Sequence, residues 1–286
     1  MIIIKLNGGL GNQMFQYALG RKISLTRNIT LKMDPFWYAA QNFPQGAERA
    51  YGLGVFNIVE NLAIATEVES FPVKKSLWRR GINKIKREFF GLDDTSRFNP
   101  RILKAKDGSY LEGYWQSEKY FIDIRDNLLQ EFTLKKDLGL EAQKIIKEID
   151  SFNSVSLHIR RGDYLSDQKV RELFGVCSLD YYNRAVDFIK DKVEQPVFFV
   201  FSDDINWARE NLKLDFPVVF VSRPEIKDYE ELILLSHCRH NIIANSSFSW
   251  WGAWLNNYPG KIVVAPKVWF NKVKMRDIIP NSWIKL

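Results

Sequence analysis

The sequence predicts an α/β protein in which helices cover parallel sheets. Three observations lead to this fold class. Short, almost continuous apolar runs alternate with amphipathic segments of helical spacing through the second half of the chain. The first residues repeat the order of strand, glycine-rich turn and helix. With 286 residues, of which 46% are hydrophobic and 26% charged, the chain is long enough for one large domain or two of ordinary size.

The N-terminal half begins clearly and then loses its periodicity. Its predicted elements are a strand over 2–6, a tight glycine-rich turn over 7–12, a helix over 13–27, a strand over 29–33, and helices over 117–132 and 138–150. Residues 34–110 carry prolines, glycines, aromatic residues and charge runs, and no element is predicted there.

The C-terminal half alternates strictly between strands and helices. The predicted strands cover 154–159, 196–202, 217–222, 241–245 and 261–266, and the helices cover 178–193, 204–212, 227–238 and 247–257. A join near residue 150 divides the chain into domains over 1–150 and 151–286. Two α/β domains facing each other would leave a cleft, and ligands of parallel sheets sit beyond the carboxyl ends of the strands.

Composition and charge indicate where the protein is located in the cell and what kind of partner it binds. The net charge of +7 favours an anionic partner such as a nucleotide phosphate, nucleic acid or an acidic membrane face, although an ordinary basic protein is an equal alternative. The basic and aromatic segment 74–91 could contact anionic lipid or nucleic acid, whereas a solvated surface is the favoured interpretation. Cys177 and Cys238 cannot make a disulfide framework, and no signal peptide or membrane span is recognisable. These features predict a cytoplasmic protein.

Polar residues gather at the predicted strand ends of the C-terminal half. They are His158, Arg160, Arg161, Asp163, Ser202, Asp203, Asp204, Ser222, Arg223, Asn245, Ser246 and Ser247. Arginine offers a rigid fork for phosphate oxygens, serines at a helix N-terminus favour an anion, and a carboxylate can accept from ribose or guanine. Together they predict a nucleotide diphosphate site. Taken singly, the arginines could pair with Asp163, Ser247 could cap a helix, and "SDD" could be a helix start.

The sequence contains neither a standard phosphate-binding loop motif nor a recognisable metal site. Gly9, Gly11, Asn12 and Gln13 follow the first strand, but they lack the G-x-G-x-x-G spacing and the Walker lysine. A tight turn, or a loop that lets a sugar approach the backbone, are the alternatives. The two histidines of "HCRH", 237–240, have no matching ligands elsewhere, and the chain contains no Asp-x-Asp. No metal is therefore expected, and arginine could neutralise the leaving group instead.

Five blocks of sequence resemble one family. "HIRRGDY" (158–164) resembles the His-x-Arg-Arg-x-Asp motif of α-1,2- and α-1,6-fucosyltransferases. "LNGGLGNQMFQYALGR" (6–21) and "IIANSSFSWWGAWLN" (242–256) resemble the opening and C-terminal motifs of bacterial α-1,2-fucosyltransferases, glycosyltransferase family 11. "YLEGYWQSEKYF" (110–121) and "FVFSDDINWARENL" (199–212) are also similar to that family, so the resemblance spans nearly the whole chain in order.

The resemblance implies a GT-B fold, with two Rossmann-like domains facing a central cleft. Residues 1–150 would form the acceptor-side domain and 151–286 the donor domain. The donor would be GDP-β-L-fucose, transferred with inversion and without metal or other cofactor to the 2-hydroxyl of a galactose-terminated glycan in an O-antigen, capsule or oligosaccharide. Animal members carry an N-terminal membrane anchor, whereas this chain starts at its first strand. That difference implies a bacterial, cytoplasmic member, with peripheral contact at the inner membrane left open and no nucleic acid partner.

The resemblance also implies residue roles. Arg160 would bind the β-phosphate and assist departure of GDP, and Arg161 and Asp163 would support that site. His158 and Asp203 would lie near guanine or ribose, and Ser246 and Ser247 would hold phosphate. The cleft would be lined from the N-terminal domain by Gly9, Gly11, Asn12 and Gln13. The general base is not identified by the sequence. Asp163 is the first candidate, although it could only orient the arginines, and Asp167 and Glu48 are alternatives. Other functions left open are a GT-B transferase with another nucleotide sugar and a non-catalytic basic protein that binds nucleotides or anions.

Overall fold

The computed structural model describes residues 1–40, 49–71, 97–162, 172 and 175–286. The chain divides into two compact units. The N-terminal unit comprises Met1–Lys135 and Arg276–Ile278, and the C-terminal unit comprises Lys136–Met275 and Ile279–Leu286. The polypeptide therefore returns briefly to the first unit before its last residues complete the second.

The N-terminal unit contains a three-stranded parallel sheet. Its strands are β1 (Ile2–Lys5), β2 (Leu31–Asp34) and β3 (Tyr110–Leu111), in the order β2-β1-β3. The helices described in this unit are α1 (Leu10–Arg27), α2 (Ala65–Ser70) and α3 (Arg125–Glu131), joined by short 3₁₀ turns. The predicted first strand and helix are thereby confirmed, and the second strand lies two residues later than its predicted start at 29.

Helix α1 begins at Leu10, three residues earlier than the sequence indicates. The turn is completed by Gly8, whose φ of 75° favours glycine, and by Gly9, which is the extended N-cap. The residues that follow carry neither proline nor a β-branched side chain in the first turns, and Leu10 and Gly11 are buried against the unit. The predicted turn over 7–12 was therefore wrong in its second half, which is the first turn of the helix.

The predicted helix over 117–132 is also wrong in its first half. Two 3₁₀ turns, Glu118–Tyr120 and Ile122–Ile124, precede α3. Ser117 accepts a hydrogen bond from the backbone N–H of Lys119, and Phe121 between the two turns has a φ of −148°, which is not helical. Apolar spacing survives such a break, so periodicity alone does not reveal it.

The C-terminal unit is built on six parallel strands. They are β4 (Asn153–Ile159), β5 (Pro196–Ser202), β6 (Val218–Phe220), β7 (His240–Ile242), β8 (Val263–Ala265) and β9 (Ile284–Lys285), in the order β6-β5-β4-β7-β8-β9. The helices described in this unit are α4 (Leu140–Ser151), which precedes β4, and α5 (Leu179–Lys190), α6 (Ile205–Asn211), α7 (Asp228–His237) and α8 (Ser247–Leu255), which lie between later strands. Each predicted strand of this half is confirmed, and β9 is an additional edge strand.

Alternate residues of the central strands pack into two separate clusters, one on each face of the sheet. Leu157 and Val200, which pair in register, lie in the cluster that contains α5. Phe199 and Phe201 lie in the other cluster, with apolar residues of α4 and α7. This arrangement explains why the strands read as continuous apolar runs. It also places α4 in the C-terminal unit, so the division falls after Lys135 rather than near residue 150.

Helix α8 is buried almost throughout its length. Trp250 and Trp251 are fully buried, and Trp254 is 2% exposed. Gly252 lets the neighbouring helix α7 approach, because a Cβ at this position would lie 2.8 Å from the Cβ of Leu235. The helix is therefore fixed by close packing on all sides. Within the described parts of the chain, no helix has both the length and the apolar character needed to cross a bilayer.

Candidate functional site

The strand order of the C-terminal unit reverses beside its first strand, the position at which sheets of this kind form a crevice. The chain moves from β4 to β5 and β6 on one side, and then continues from β7 to β9 on the other side of β4. Ligands of such sheets bind at this reversal, beyond the carboxyl ends of the two central strands. The residues that follow β4 and β7 therefore occupy the expected position for a ligand. These residues include Arg160 and the pair Ser246 and Ser247.

The turn after β4 is held by the carboxylate of Asp203, which follows β5. Its Oδ1 accepts a hydrogen bond from the backbone N–H of Arg161 at 2.9 Å, and its Oδ2 accepts one from that of Gly162 at 3.0 Å. Oδ2 also lies 3.2 Å from Nε of Arg160. The side chains of Arg160 and Asp203 are only 21% and 23% exposed, so water screens the pair weakly.

Arg161 faces helix α6. Its guanidinium carbon lies 3.6 Å from the ring centroid of Trp207, and its Nε lies 3.5 Å from Oδ2 of Asp204. Asp204 in turn caps α6, because its Oδ1 accepts from the backbone N–H of Trp207 at 3.2 Å. The helix-start interpretation of "SDD" holds for Asp204. Stacking and ion pairing both tie Arg161 to the scaffold.

His158 is a buried, neutral group beside the site. It is 3% exposed, its ring centroid lies 5.7 Å from that of Phe248, and its Nδ1 has no hydrogen-bond partner among the described residues. Burial, followed by the nearby charge of Arg160, lowers the pKa of His158 to about 3. An imidazole with this pKa is neutral at physiological pH and is a very weak base. The Nδ1 atom is itself buried within the protein.

The N-terminus of α8 supplies donors on the other side of the crevice. Ser246 is the N-cap, and its hydroxyl accepts from the backbone N–H of Phe248 at 3.3 Å. Ser247 is the first residue of the helix, and the first turn carries no acidic side chain. Asn245 anchors this corner by donating from Nδ2 to the carbonyl oxygens of Gly175 and Trp269. The helix dipole and the serine hydroxyls make this end favourable for an anion.

Glu231 is a further titratable group of this region that the sequence analysis did not single out. The pKa of its carboxyl is raised to about 7, mainly by burial; a hydrogen bond with Ser222 opposes the rise, and the negative charges of Asp228 and Asp203 add to it. Ser222 follows β6 and accepts from the backbone N–H of Ser202. An acidic residue in the first turn of a helix ordinarily complements the helix dipole, so nothing in the sequence marks this one as unusual.

Replacing Glu231 with glutamine is expected to reduce the pH dependence of stability. A carboxyl whose pKa is higher in the folded than in the unfolded state keeps its proton more readily in the folded state. Its protonation therefore stabilises the fold at low pH, and this contribution is lost as pH rises from 4.5 to about 7. The loss corresponds to ~3 kcal/mol in the free energy of unfolding at pH 8. Urea unfolding of Glu231→Gln at pH 5 and pH 8 should show a smaller decline than wild type. The exposed Glu148→Gln serves as the control, and an equal decline in both variants would contradict the assignment.

The glycine-rich segment of the N-terminal unit has a mainly structural arrangement. The buried side chain of Gln13 donates to the carbonyl oxygens of Gly8 and Ala50 and accepts from the backbone N–H of Gly52. Asn12 is half-buried and accepts from Nε2 of Gln116 at 2.8 Å. Gly11 is buried within α1. A Cβ added to Gly9 would meet no described atom within 4 Å, so the surroundings of this glycine are open.

Several predicted residues lie outside the described residues. These are Asp163, Asp167, Glu48 and the segment 74–91. Within the described ranges, no group of three or more histidine, cysteine or acidic side chains is arranged to hold a metal ion. His240 has a structural contact, because its Nδ1 accepts from the backbone N–H of Ile262 at 3.0 Å. Metal independence remains a prediction.

The fold of this chain is that of solved GT-B fucosyltransferases. Among solved structures, the chain matches NodZ α-1,6-fucosyltransferase soaked with GDP-fucose with a TM-score of 0.53 and 16% identity, over 89% of this chain and 92% of that one. The chain belongs to glycosyl transferase family 11, whose family model matches residues 66–286. The family resemblance and the fold class predicted from the sequence are thereby confirmed.

Two curated relatives have related activities in their names. The chain is 34% identical over 299 residues to the alpha-1,2-colitosyltransferase of Escherichia coli, covering 100% of this chain and 99% of that protein. It is 30% identical over 260 residues to galactoside alpha-(1,2)-fucosyltransferase 1 of Lagothrix lagotricha, covering 87% of this chain and 63% of that protein. Both names specify an α-1,2 linkage, with different transferred sugars.

Proposed function

We propose that the protein transfers L-fucose from GDP-β-L-fucose to the 2-hydroxyl of a galactoside in a glycan, with inversion and without a metal. The observation that carries the proposal is the placement of Arg160 and the N-terminus of α8 at the reversal of strand order in a family 11 chain. Arginine and helix N-terminal groups are the recurring partners of phosphate oxygens. The α-1,2 relatives support a galactoside acceptor.

The chemistry of the proposed step is a single displacement. Oxygen O2 of the galactoside attacks carbon C1 of fucose, the bond from C1 to the β-phosphate oxygen breaks, and GDP leaves with the electron pair. Negative charge grows on the β-phosphate as this bond breaks, so a fixed guanidinium at Arg160 favours the transition state over the ground state. The acceptor proton passes to a base. Asp163 remains the first candidate, and Asp167 and Glu48 the alternatives.

His158 is unsuited to be that base. Its pKa of about 3 makes it a weak proton acceptor, and its Nδ1 atom is buried. Arg161 is engaged with Trp207 and Asp204, which favours a supporting role over direct phosphate contact. We therefore propose that Arg160 binds the β-phosphate of the leaving group, and that Ser246 and Ser247 bind the remaining phosphate oxygens.

A transfer assay tests the proposal. The protein is incubated with GDP-fucose and lactose, N-acetyllactosamine or a galactosyl-N-acetylhexosamine, with EDTA present, and the product linkage and anomeric configuration are determined by NMR. We expect a Fucα1-2 product and release of GDP. Absence of product and of GDP release with every galactoside would overturn the proposal. Loss of activity in EDTA, restored by a divalent metal, would contradict metal independence alone.

The second candidate is transfer of a colitosyl group at the same site. It is favoured by the 34% identity to the Escherichia coli colitosyltransferase over the full chain. Competition between fucosyl and colitosyl nucleotides in one assay, read by mass spectrometry, separates the two.

Thermal-shift comparison of GDP with UDP and ADP tests whether the donor carries a different nucleotide. Salt-dependent RNA or anionic-vesicle binding without a response to GDP would instead indicate a non-catalytic anion-binding protein.

A further inference from the structure

We propose that Asp203 is a positioning residue that holds Arg160 in place, rather than a group that contacts the nucleotide. This inference rests on the proposed function and deepens it. The carboxylate accepts from two consecutive backbone N–H groups, those of Arg161 and Gly162, and its Oδ2 also forms an ion pair with Nε of Arg160 at 3.2 Å. A carboxylate has about four lone-pair sites, so two of them are engaged by the turn while the charge is paired with Arg160.

The strand register explains why this residue can reach the turn. Ile159 at the end of β4 pairs with Ser202 at the end of β5, so Arg160 and Asp203 leave adjacent strands side by side. The register between β4 and β5 ends at this pair. Hydrogen bonds from the backbone N–H groups of the turn to a carboxylate replace the ladder and fix the direction of the turn. The direction of the Arg160 side chain depends on that of the turn.

The contact between the turn and the carboxylate leaves no room for a side chain at position 162. A Cβ on Gly162 would lie 2.8 Å from Oδ2 of Asp203 and 3.2 Å from its Cγ. Glycine is therefore favoured by the close approach of the carboxylate rather than by a positive φ. A larger residue at position 162 would displace the carboxylate, the turn or both.

The next residue after each strand, Arg161 after β4 and Asp204 after β5, forms a second contact between the two strand ends. Arg161 stacks on Trp207 at 3.6 Å and lies beside Asp204, which caps α6. Two consecutive aspartates after β5 thus hold two consecutive arginines after β4. The guanidinium of Arg160 is therefore oriented from the neighbouring strand end, which is the support that preorganised catalytic groups require.

A positioning role and a nucleotide contact predict opposite effects of removing the charge. A carboxylate close to bound phosphate repels it, so neutralising Asp203 should leave nucleotide binding unchanged or tighter. Loss of the three-point hold should instead lower the turnover rate, because Arg160 would no longer meet the developing charge in a fixed geometry. A carboxylate that accepts from guanine or ribose would lose affinity when neutralised.

The experiment compares Asp203→Asn with the exposed, charge-matched Asp180→Asn in the full-length protein. We expect Asp203→Asn to lower kcat by about 10- to 100-fold, with the KM for GDP-fucose and the Kd for GDP within about threefold of wild type. In the background of Arg160→Lys, the same change should lower kcat by less than about threefold, because the two side chains act as one unit. Gly162→Ala should reproduce the kcat loss, and circular dichroism and Tm report folding.

Contradictory outcomes are distinct from failure of the proposed function. A tenfold or greater rise in KM or in the Kd for GDP with an unchanged kcat would overturn the positioning role and assign Asp203 to the nucleotide. A full loss in the Arg160→Lys background, or kcat equal to that of Asp180→Asn, would also overturn it. If wild type itself neither binds GDP nor transfers fucose, the proposed function fails instead.

Discussion

Replacing Arg160 with alanine should lower kcat/KM for fucosyl transfer by about 10²- to 10³-fold and weaken GDP binding. The guanidinium sits at the reversal of strand order, its side chain is 21% exposed, and it is held by Asp203. A group so fixed gains interaction energy as charge develops on the leaving phosphate, and alanine removes that gain entirely. Steady-state kinetics with GDP-fucose and calorimetric titration with GDP measure the two effects.

Two companion variants show whether the loss is specific. Arg184→Ala removes an exposed arginine of α5 that pairs with Asp180 on the same helix, and its kinetics should match wild type. Arg160→Lys keeps the charge but not the fork, so its activity should be intermediate. Near-normal turnover in Arg160→Ala would refute the phosphate assignment.

Replacing Trp250 with alanine should lower the free energy of unfolding by about 3–5 kcal/mol. The side chain is fully buried, and its ring centroid lies 5.1 Å from that of Trp251, 6.2 Å from that of Trp254 and 5.5 Å from that of Trp283. Alanine would leave a cavity among rigid rings that cannot easily collapse. Because α8 carries the serine pair of the site, we expect transfer activity to fall with stability.

Urea denaturation followed by far-ultraviolet circular dichroism measures this effect. Phe152→Ala, which shortens an aromatic side chain that is 44% exposed, should change the free energy of unfolding by less than about 1 kcal/mol. If Trp250→Ala loses no more stability than Phe152→Ala, the packing account of α8 is wrong.

The positions of the site residues could be predicted because strand ends can be read from apolar runs. Arg160, Ser246 and Ser247 follow β4 and β7, and parallel strands bring such residues to one edge. Their contacts could not be predicted in the same way. Asp203 and Asp204 are adjacent and chemically identical, yet one holds a distant turn and the other caps its own helix. Only the strand register decides between these two roles.

Elements without a local signal were missed for a similar reason. Strand β9 has two residues, Ile284 and Lys285, and forms by pairing with the edge of β8. The raised pKa of Glu231 arises from burial by surrounding segments, which a helix-start pattern does not contain. The 3₁₀ turns before α3 keep helical apolar spacing. For β9 and for Glu231 the deciding contribution comes from tertiary structure.

The path of the last residues limits how the protein can be dissected or recombined. Residues 276–278 belong to the N-terminal unit, whereas 279–286 complete the sheet of the C-terminal unit through β9. A fragment that stops at Met275 would expose the hydrogen-bonding edge of β8, and such edges promote aggregation. Chimeras that exchange the C-terminal unit between family members therefore need two matched junctions, one near Lys135 and one around the return segment, rather than a single crossover.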